Sequence, residues 1–468
     1  SDTDATALMS QVTTQKPLIT GSNDYKTFML YLSKLNINQA VNLDNPNDAY
    51  NQLEIANSTV ENANNITGTQ NRQVGIAQEN GNDTNGDGYN ANKVTLTNTA
   101  TGSINLTGDE STGIYAKRGL IFNDGQISVG KKSTGIYIVE DDRSPVGAVA
   151  GARAINSSTG VITIGEDSTG MYYKVDPDNA DGRGTNTAIG GGIVNDGKIE
   201  STANNVIAMS FDSPYGSKTM ENSATTGVID LQGQNSTGMF ATGAGTYTAV
   251  NNGTIKLASS SNVNTPNIGM YTDKDTITLE NNGTIEGGDK TVGIYGYSAN
   301  LGATSTTKVG SGGTGVYSLG GNVTINGGTL SVGENGTTGS NDAVGVYYVG
   351  QGGTITSNAS DIKVGNSAYG FVVQNENGTG VTLTTNTPNV TLGEDAVYVY
   401  SNNKAGTVTN NTTLTSTGGG NYGVYSAGTV TNNANINFGT GTGNVGVYSI
   451  LGGTATNNAA ITVGASDT

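Results

Sequence analysis

The sequence contains no cysteine, no histidine and no tryptophan, and only 13% of its residues are charged. Without cysteine no disulfide can form, so the folded state depends on packing and on backbone hydrogen bonds. Without histidine or cysteine, the chain cannot build a Ser-His-Asp triad, a Cys-His dyad, or a metal site of thiolate or imidazole ligands. Hydrolases and zinc sites built from those groups are therefore excluded.

Positive charge is also scarce. The chain has 21 Lys and Arg residues against 38 Asp and Glu residues, a formal net charge of −17. An acidic surface repels nucleic acid and anionic lipid, and no basic run forms a patch. No apolar stretch approaches the length of a membrane span. We therefore predict no nucleic-acid partner, no direct insertion of these residues into a membrane, and no cofactor.

Glycine is abundant, with 71 residues, and it recurs in a triplet of Gly, an aliphatic residue and an aromatic residue. Three weaker copies are Gly370-Phe371-Val372, Ala396-Val397-Tyr398 and Asn205-Val206-Ile207. With these included, neighbouring copies are 22 to 35 residues apart, a period that predicts a solenoid. The ten clear copies end at Tyr115, Tyr137, Tyr172, Phe240, Tyr271, Tyr295, Tyr317, Tyr347, Tyr425 and Tyr448.

Each repeat also has an upstream half with the pattern Asn-[Asn/Asp]-Gly-x-Ile, as in NDGQISVG (123–130) and NNGTIKLA (251–258). Short β-branched strands separated by Asn and Gly, with no helical stretch between them, predict an all-β fold, a parallel β-helix. The Asn and Gly residues are predicted to occupy the corners, where they tolerate left-handed backbone angles.

The triplet predicts that its aliphatic and aromatic side chains point to opposite faces of one strand. The aliphatic residue is expected to point inward and stack on its copies, as at Ile114, Ile136, Val316 and Val424. The aromatic residue is expected to point outward and form a ladder, with the Gly leaving room for the corner or for the neighbouring ring. A structural ladder is one interpretation. The other is a surface on which sugars stack, because exposed Tyr offers an apolar face and a hydroxyl.

Residues 1–95 do not repeat, and we predict that they form an N-terminal cap on a β-helix of residues 96–468. The cap is expected to contain a short helix in SNDYKTFMLYLSKLNINQ, where polar capping residues precede an apolar stripe. The sequence stops inside a repeat, so it is expected to be the front part of a longer protein. The capping residues are Ser22, Asn23 and Asp24, and the stripe is Tyr25, Phe28, Leu32 and Leu35.

Three insertions, 138–154, 173–192 and 209–220, directly follow a triplet strand. They are expected to leave the solenoid at the same corner and to bunch on one side, where rigidly held loops commonly bind ligands. Ordinary tolerated insertions are the alternative. The candidate binding residues are Asp141, Asp142, Arg143, Arg153, Asp176, Asp178, Arg183, Phe211 and Tyr215.

Two further acidic patterns are weighed against ordinary turns. Glu166-Asp167 and Glu394-Asp395 precede a triplet strand at the same place, and this repetition favours a turn role over a glycosidase pair. We therefore predict that the protein is not an enzyme.

DTNGDG (83–88) matches the opening of a calcium loop, but Val94 stands where the bidentate Glu is expected, so a solvated turn is the alternative. The candidate metal ligands are Asp83, Asn85 and Asp87.

The Ser-Thr-Gly-Ile-Tyr units and Asn-Asn-Gly-x-Ile turns of residues 95–468 resemble the passenger domains of large monomeric autotransporter adhesins of type V secretion. They look most like the very long fusobacterial outer-membrane adhesins. The resemblance implies a right-handed β-helix, in keeping with the rule for parallel crossovers. It also implies display at the bacterial cell surface, anchored in the outer membrane by a C-terminal barrel that this sequence lacks.

Binding to host-cell glycans or receptors, or to other bacteria, is the function that the resemblance implies, with roles in virulence, coaggregation and biofilm formation. Two alternatives stay open. The chain is a passive stalk of a longer surface protein, or it is a β-helix enzyme that cleaves polysaccharides through paired carboxylates.

Overall fold

The three-dimensional structure is a computed structural model. It describes residues 26–31, 34–45, 50–56, 58–79, 95–117, 119–141, 152–176, 191–216, 219–224, 226–334 and 341–464. The regular elements of this part of the chain are all β-strands, and it contains no helix. Within each sheet the neighbours are strands three apart in chain order, and the recorded pairings are parallel. The chain therefore winds through three strands per coil, which confirms the predicted parallel β-helix.

The chain divides into two compact units, the first formed by residues 1–233 with 239–247 and the second by residues 234–238 with 248–468. Each coil has three strand positions, and we call the stacks of strands at these positions the asparagine sheet, the middle sheet and the tyrosine sheet. Two strands contain residues of both units, Thr237–Thr242 of the tyrosine sheet and Tyr247–Asn251 of the asparagine sheet.

The strands of the first unit repeat in the order asparagine sheet, middle sheet, tyrosine sheet. A separate parallel pair is formed by Lys26–Tyr31 and Tyr50–Ala56. The asparagine sheet contains Lys34–Ile37, Thr59–Asn62, Thr95–Asn98, Leu120–Asn123, Arg153–Asn156, Gly192–Asn195 and Thr219–Asn222. The middle sheet contains Val41–Asn42, Asn65–Gly68, Ser103–Leu106, Gln126–Val129, Val161–Ile164, Lys198–Ser201 and Val228–Leu231. The tyrosine sheet contains Val74–Glu79, Thr112–Lys117, Thr134–Asp141, Thr169–Asp176 and Ile207–Asp212.

The second unit keeps the same order. Its asparagine sheet contains Ile277–Asn281, Ala299–Leu301, Asn322–Ile325, Thr354–Ser357, Thr382–Thr385, Thr407–Asn410, Thr429–Asn432 and Thr454–Asn457. Its middle sheet contains Thr254–Leu257, Thr284–Gly287, Thr306–Val309, Thr329–Val332 and Asp361–Val364, after which Asn389–Leu392, Thr413–Ser416, Ile436–Phe438 and Ile461–Val463 form a separate sheet at the same position in the coil. Its tyrosine sheet contains Ile268–Thr272, Val292–Gly296, Thr314–Ser318, Val344–Tyr348, Tyr369–Val373, Val397–Ser401, Tyr422–Ser426 and Val445–Ser449.

Alternating apolar residues fill the interior of the coils. In Ser103–Leu106, for example, Ile104 and Leu106 are buried while Ser103 and Asn105 face outward. A two-residue period places alternate side chains on opposite faces, so each short strand contributes two residues to the core. The aliphatic residues of the triplet are fully buried, at Ile114, Ile136, Val316 and Val424, which confirms their predicted orientation.

The glycine of the triplet lies against the next coil. A Cβ atom added at Gly135 would lie 2.6 Å from the carbonyl oxygen of Gly170 and 2.7 Å from Cγ2 of Ile162 in the middle sheet. Such distances are too short for a side chain without displacement of the neighbouring backbone. The glycine therefore leaves room for the next coil and for the core, and for neither the corner nor the neighbouring aromatic ring, the two predicted alternatives.

Replacing Gly315 with alanine is expected to lower the free energy of unfolding by about 1–3 kcal/mol through overpacking. The new Cβ would lie 2.6 Å from the carbonyl oxygen of Gly345 and 2.7 Å from Cδ1 of Leu330. Gly439→Ala is the matched control, because its nearest neighbour, Oδ1 of Asn437, would be 3.4 Å from the new Cβ, and we expect a change within about 1 kcal/mol. Urea unfolding followed by circular dichroism measures both, and equal destabilisation would contradict the crowding.

The recurring asparagine of the Asn-[Asn/Asp]-Gly pattern is buried inside the solenoid. Asn98 donates from Nδ2 to Oδ1 of Asn123 at 2.9 Å, and Asn123 donates in the same way to Asn156 at 2.8 Å. This ladder continues with equal spacing to Asn195 and Asn222. These asparagines therefore satisfy one another inside the core and do not form the predicted corners. Other asparagines do adopt the predicted left-handed angles, with φ of 57° at Asn205 and 52° at Asn235.

Left-handed backbone angles recur in the turn just before the strands of the tyrosine sheet. Glu110, Lys132 and Asp167 have φ angles of 56°, 50° and 57°, and Asp395 has a φ angle of 54°. The acidic dipeptides that end at Asp167 and Asp395 thus occupy the same tight turn in different coils, which confirms their predicted turn role. The turn closes by backbone hydrogen bonds between coils, such as Lys132 N–H to the carbonyl of Glu166 at 2.8 Å.

The short helix predicted from Ser22 onward is wrong for the residues that the structure describes. Lys26–Tyr31 and Lys34–Ile37 are strands, and Leu35 and Ile37 are buried while the residues between and before them are exposed. Leu35 and Ile37 also fit a two-residue period, and pairing with Thr59–Asn62 supplies the backbone hydrogen-bond partners that a strand needs. The asparagine and middle sheets begin at Lys34 and Val41, inside the region predicted as a non-repeating cap.

Two of the three weak triplets have a different register from the one predicted. Met171 pairs with Met209 and Tyr172 with Ser210, so the triplet there is Ala208-Met209-Ser210. Further along, Tyr400 pairs with both Val372 and Tyr425, so the triplet is Tyr398-Val399-Tyr400. The third weak copy, Gly370-Phe371-Val372, is confirmed.

Candidate functional site

The outward tyrosines form the predicted ladder. In the first unit Tyr115 and Tyr137 have ring centroids 5.4 Å apart, and Tyr137 and Tyr172 are 5.0 Å apart. The column is interrupted where Ser210 pairs with Tyr172. All three tyrosines are half-buried, because neighbouring rings cover one another.

The ladder of the second unit is longer. The centroid distances are 5.4 Å for Tyr271–Tyr295, 4.7 Å for Tyr295–Tyr317 and 5.0 Å for Tyr317–Tyr347. Val372 follows in the register, so the first run contains four tyrosines. A second run of Tyr400, Tyr425 and Tyr448 has spacings of 5.3 Å and 4.9 Å.

Four of the seven neighbouring ring pairs stack face to face, while Tyr271–Tyr295 meet edge to face at 61° and the pairs Tyr115–Tyr137 and Tyr317–Tyr347 are tilted at 30° and 39°. The angle between ring planes is 17° for Tyr295–Tyr317 and 11° for Tyr425–Tyr448. Stacking hides the ring faces and leaves the edges and hydroxyl groups outward. This geometry supports the structural interpretation of the ladder and does not offer a series of free ring faces to sugars.

A second outward column lies beside the ladder in the second unit. It contains residues three positions before each ladder residue, in the order Ile268, Val292, Thr314, Val344, Tyr369, Val397, Tyr422 and Val445. These side chains are half-buried or nearly buried on the outer face of the sheet. We call the two columns of the second unit together the tyrosine face.

The tyrosine face is uncharged. None of the eight strands from Ile268–Thr272 to Val445–Ser449 contains a Lys, Arg, Asp or Glu residue. Charges lie two residues past the ladder position in both units, at Lys117, Lys174 and Asp212 in the first and at Asp273, which acts on Tyr271, in the second. Depletion of charge together with enrichment in Tyr is typical of the central part of binding surfaces.

The hydroxyl groups of the tyrosine face can donate and accept hydrogen bonds. Burial raises the pKa of Tyr317 and Tyr347 above the ordinary value for a phenol. The Tyr347 hydroxyl donates to Oε1 of Gln374. The face therefore combines apolar ring edges and aliphatic groups with a regular column of neutral donors.

The predicted insertions leave from one edge of the first unit. The strands Thr134–Asp141, Thr169–Asp176 and Ile207–Asp212 are neighbours in the tyrosine sheet, and they contain the first four residues of each predicted insertion. The predicted bounds are therefore too wide, and the segments between strands are residues 142–152, 177–191 and only 213–218. Asp141 pairs with Asp176 in the backbone register, at the end of both strands. The insertions thus begin side by side. Asp142, Arg143, Asp178 and Arg183 lie outside the described residues.

The other predicted binding residues have different environments. Arg153 is exposed at the first position of its strand, and Tyr215 is half-buried in the turn after Ile207–Asp212. Phe211 is fully buried, which corrects its assignment as a binding residue. The two-residue alternation of its strand points it inward, where it stacks on Tyr173 with centroids 4.5 Å apart.

A buried polar pair that sequence reasoning missed lies beneath this edge. Glu140 and Tyr173 are both fully buried, and the Tyr173 hydroxyl donates to Oε2 of Glu140. Burial first, and then the charge of Glu140, raises the pKa of Tyr173. Phe211 and the edge-on ring of Tyr247, 5.2 Å from it, complete the cluster. The strands Thr134–Asp141 and Thr169–Asp176 are unusually long, so inward-facing positions continue past the triplet, and Glu140 and Tyr173 occupy such positions.

The candidate calcium ligands Asp83, Asn85 and Asp87 lie outside the described residues. Over the part of the chain that the structure describes, no group of three or more His, Cys, Asp or Glu residues could hold a metal ion. Nor do those residues include a helix long and apolar enough to cross a membrane.

No family model matches this chain, and no curated protein or solved structure matches it either.

Proposed function

We propose that this chain is the exposed passenger of a bacterial cell-surface adhesin that binds host-cell glycans or receptors, or partner bacteria. The observation that carries the proposal is the start of two long insertions side by side, after the adjacent strands Thr134–Asp141 and Thr169–Asp176 of a regular solenoid. A rigid scaffold that presents several loops at one edge is suited to recognition. The resemblance of the repeats to autotransporter adhesins supplies the cellular setting.

Binding of the purified chain to epithelial cells, immune cells and other bacteria tests this proposal. Replacing residues 142–151 and 177–190 with short Gly-Ser linkers is expected to reduce binding by about tenfold or more, since most interface energy resides in few residues. The strands before and after both segments are retained, so circular dichroism should be unchanged. A Gly-Ser replacement of residues 335–340 in the second unit is the control and is expected to bind normally.

Unchanged binding after both replacements would remove the insertions from the proposed site. No saturable binding of the unaltered chain to any surface would contradict the adhesin. Release of reducing sugar from a glycan panel would favour the polysaccharide-cleaving enzyme instead.

A passive stalk is the second candidate. It is favoured by the stacked rings of the ladder, whose covered faces stabilise the sheet without a ligand. The same binding experiment separates the two, because a stalk binds nothing.

A further inference from the structure

We infer that the tyrosine face of the second unit binds a neutral, extended polysaccharide that lies along the solenoid, with about one sugar residue per coil. This inference rests on the proposed binding function and names a ligand class and a site for it. The site is separate from the insertions of the first unit, and the occupant is a polymer and not a terminal sugar.

Charge favours a neutral ligand. The whole chain carries a formal net charge of −17, which repels sialylated, sulfated and other anionic polymers at a distance. The eight strands of the tyrosine face carry no charge of their own that could attract either sign. A neutral polysaccharide therefore loses no ion hydration on this face and meets no repulsion there.

Spacing favours an extended chain along the axis. Successive tyrosines of the first run are 4.7–5.4 Å apart. That repeat is close to the length of one hexose in an extended β-1,4-linked chain, so a polymer stays in register with the ladder over several coils. A single sugar would contact only one or two coils and would gain little.

The chemistry of the face suits sugar rings approached from their edges. The outward phenol hydroxyls, such as those of Tyr295 and Tyr317, can donate to and accept from sugar hydroxyls. The parallel column, with Val292, Thr314 and Val344, offers aliphatic groups to the apolar C–H surfaces of the sugars. Stacking on ring faces is not required, which agrees with their being covered by neighbouring rings.

Calorimetry with neutral cello- and chito-oligosaccharides of two to six residues, using the whole chain, tests the inference. Affinity should increase from two to four residues as the run from Tyr271 to Tyr347 is filled, and it should change little with salt because no ion pair is formed. Anionic oligosaccharides of the same length are expected to bind at least about tenfold more weakly.

The triple variant Tyr295→Phe, Tyr317→Phe, Tyr347→Phe removes the hydroxyls and keeps the rings. It should lower affinity for the tetrasaccharide by about tenfold or more, on the basis of three lost hydrogen bonds. Tyr115→Phe, Tyr137→Phe, Tyr172→Phe is the matched control in the first unit and should bind like the unaltered chain. Thr314→Glu, which adds charge to the same face without touching a ring, should also weaken binding.

The outcomes separate the inference from the proposed function. If the chain binds glycans or cells and the second-unit variants bind equally well, the site on the tyrosine face is overturned and the adhesin stands. Affinity that is independent of chain length, or preference for anionic polymers, overturns the ligand class. Binding to a protein receptor that these variants abolish overturns the carbohydrate assignment. If the chain binds no glycan, cell or bacterium, both the inference and the adhesin fail.

Discussion

Replacing Tyr398 with alanine is expected to lower the free energy of unfolding by about 3–5 kcal/mol, as for other large aromatic residues removed from a core. Tyr398 occupies the position that is glycine in most coils, yet its side chain is fully buried. Its ring meets Phe371 edge to face at 5.6 Å. The hydroxyl shares hydrogen bonds with the side chains of Thr385 and Thr412. Burial raises the pKa of Tyr398 to about 12, so it remains neutral at physiological pH.

The reason that tyrosine fits here is local. At the middle position of the coil, one sheet ends with Asp361–Val364 and a separate sheet begins with Asn389–Leu392. Thr385 stands where other coils place a ladder asparagine. The large side chain thus fills the interior of this coil, and its hydroxyl satisfies polar groups that the asparagine ladder would otherwise serve.

Tyr400→Ala is the matched control for Tyr398→Ala. Tyr400 is two residues further along the same strand, half-buried in the outer ladder, and stacks on Tyr425 at 5.3 Å. We expect a loss of about 1–2 kcal/mol from the exposed stack. Tyr398→Phe keeps the ring, and its loss should be about 1 kcal/mol for the hydroxyl alone. Urea unfolding measures all three, and equal losses at positions 398 and 400 would contradict the burial of Tyr398.

Replacing Asn123 with alanine is expected to lower the free energy of unfolding by about 2–4 kcal/mol, because two neighbouring buried amides lose a partner. Asn123 accepts from Asn98 and donates to Asn156, and it also donates to the carbonyl of Gly125 at 3.2 Å. A network of this kind is worth more than its isolated pairs, since the interior has a low dielectric constant.

Asn105→Ala is the control, because Asn105 faces outward from a neighbouring strand of the same unit. Its loss should be within about 0.5 kcal/mol. Hydrogen exchange should also become faster in the coils on both sides of position 123 and remain unchanged further away, since stability in a solenoid is shared between nearest neighbours. A uniform effect of both substitutions would argue against an interior amide ladder.

The repeating part of the fold could be predicted because its local signals agree. Alternating aliphatic residues, β-branched strands and Gly-rich turns all favour short stacked strands, and the inward positions of residues such as Ile136 and Val316 followed from the triplet alone. The outward ladder followed from the same alternation.

The errors have identifiable causes. The triplets near Ala208 and Tyr398 lack glycine, the first also lacks an aromatic residue, and apolar residues alone do not fix the register. Leu32 and Leu35 suited a helix, but Leu35 suits a strand equally well, and sheet pairing decided between them. The asparagine ladder was not predicted because Asn before Gly is also the ordinary signature of a turn.

The candidate site was less accessible to sequence reasoning. The common starting edge of the insertions followed from their position after each triplet strand. The burial of Phe211 did not, because its strand continues inside a segment that was read as an insertion. The uncharged tyrosine face emerges only when strands from separate coils are placed side by side.

Both proposed binding surfaces depend on residue-by-residue stacking of successive coils. Disulfide formation between introduced cysteines tests this directly, since the native chain has none. Thr384 and Thr409 are register partners, so their Cα atoms are about 4.8 Å apart, within the range for a disulfide. Thr384 and Thr407 are offset by two residues, which places their Cα atoms beyond the limit of about 7 Å that a disulfide can span.

We predict rapid disulfide formation in the variant Thr384→Cys with Thr409→Cys, and none in the variant Thr384→Cys with Thr407→Cys. Cross-linking of the offset pair, or of neither pair, would contradict the register.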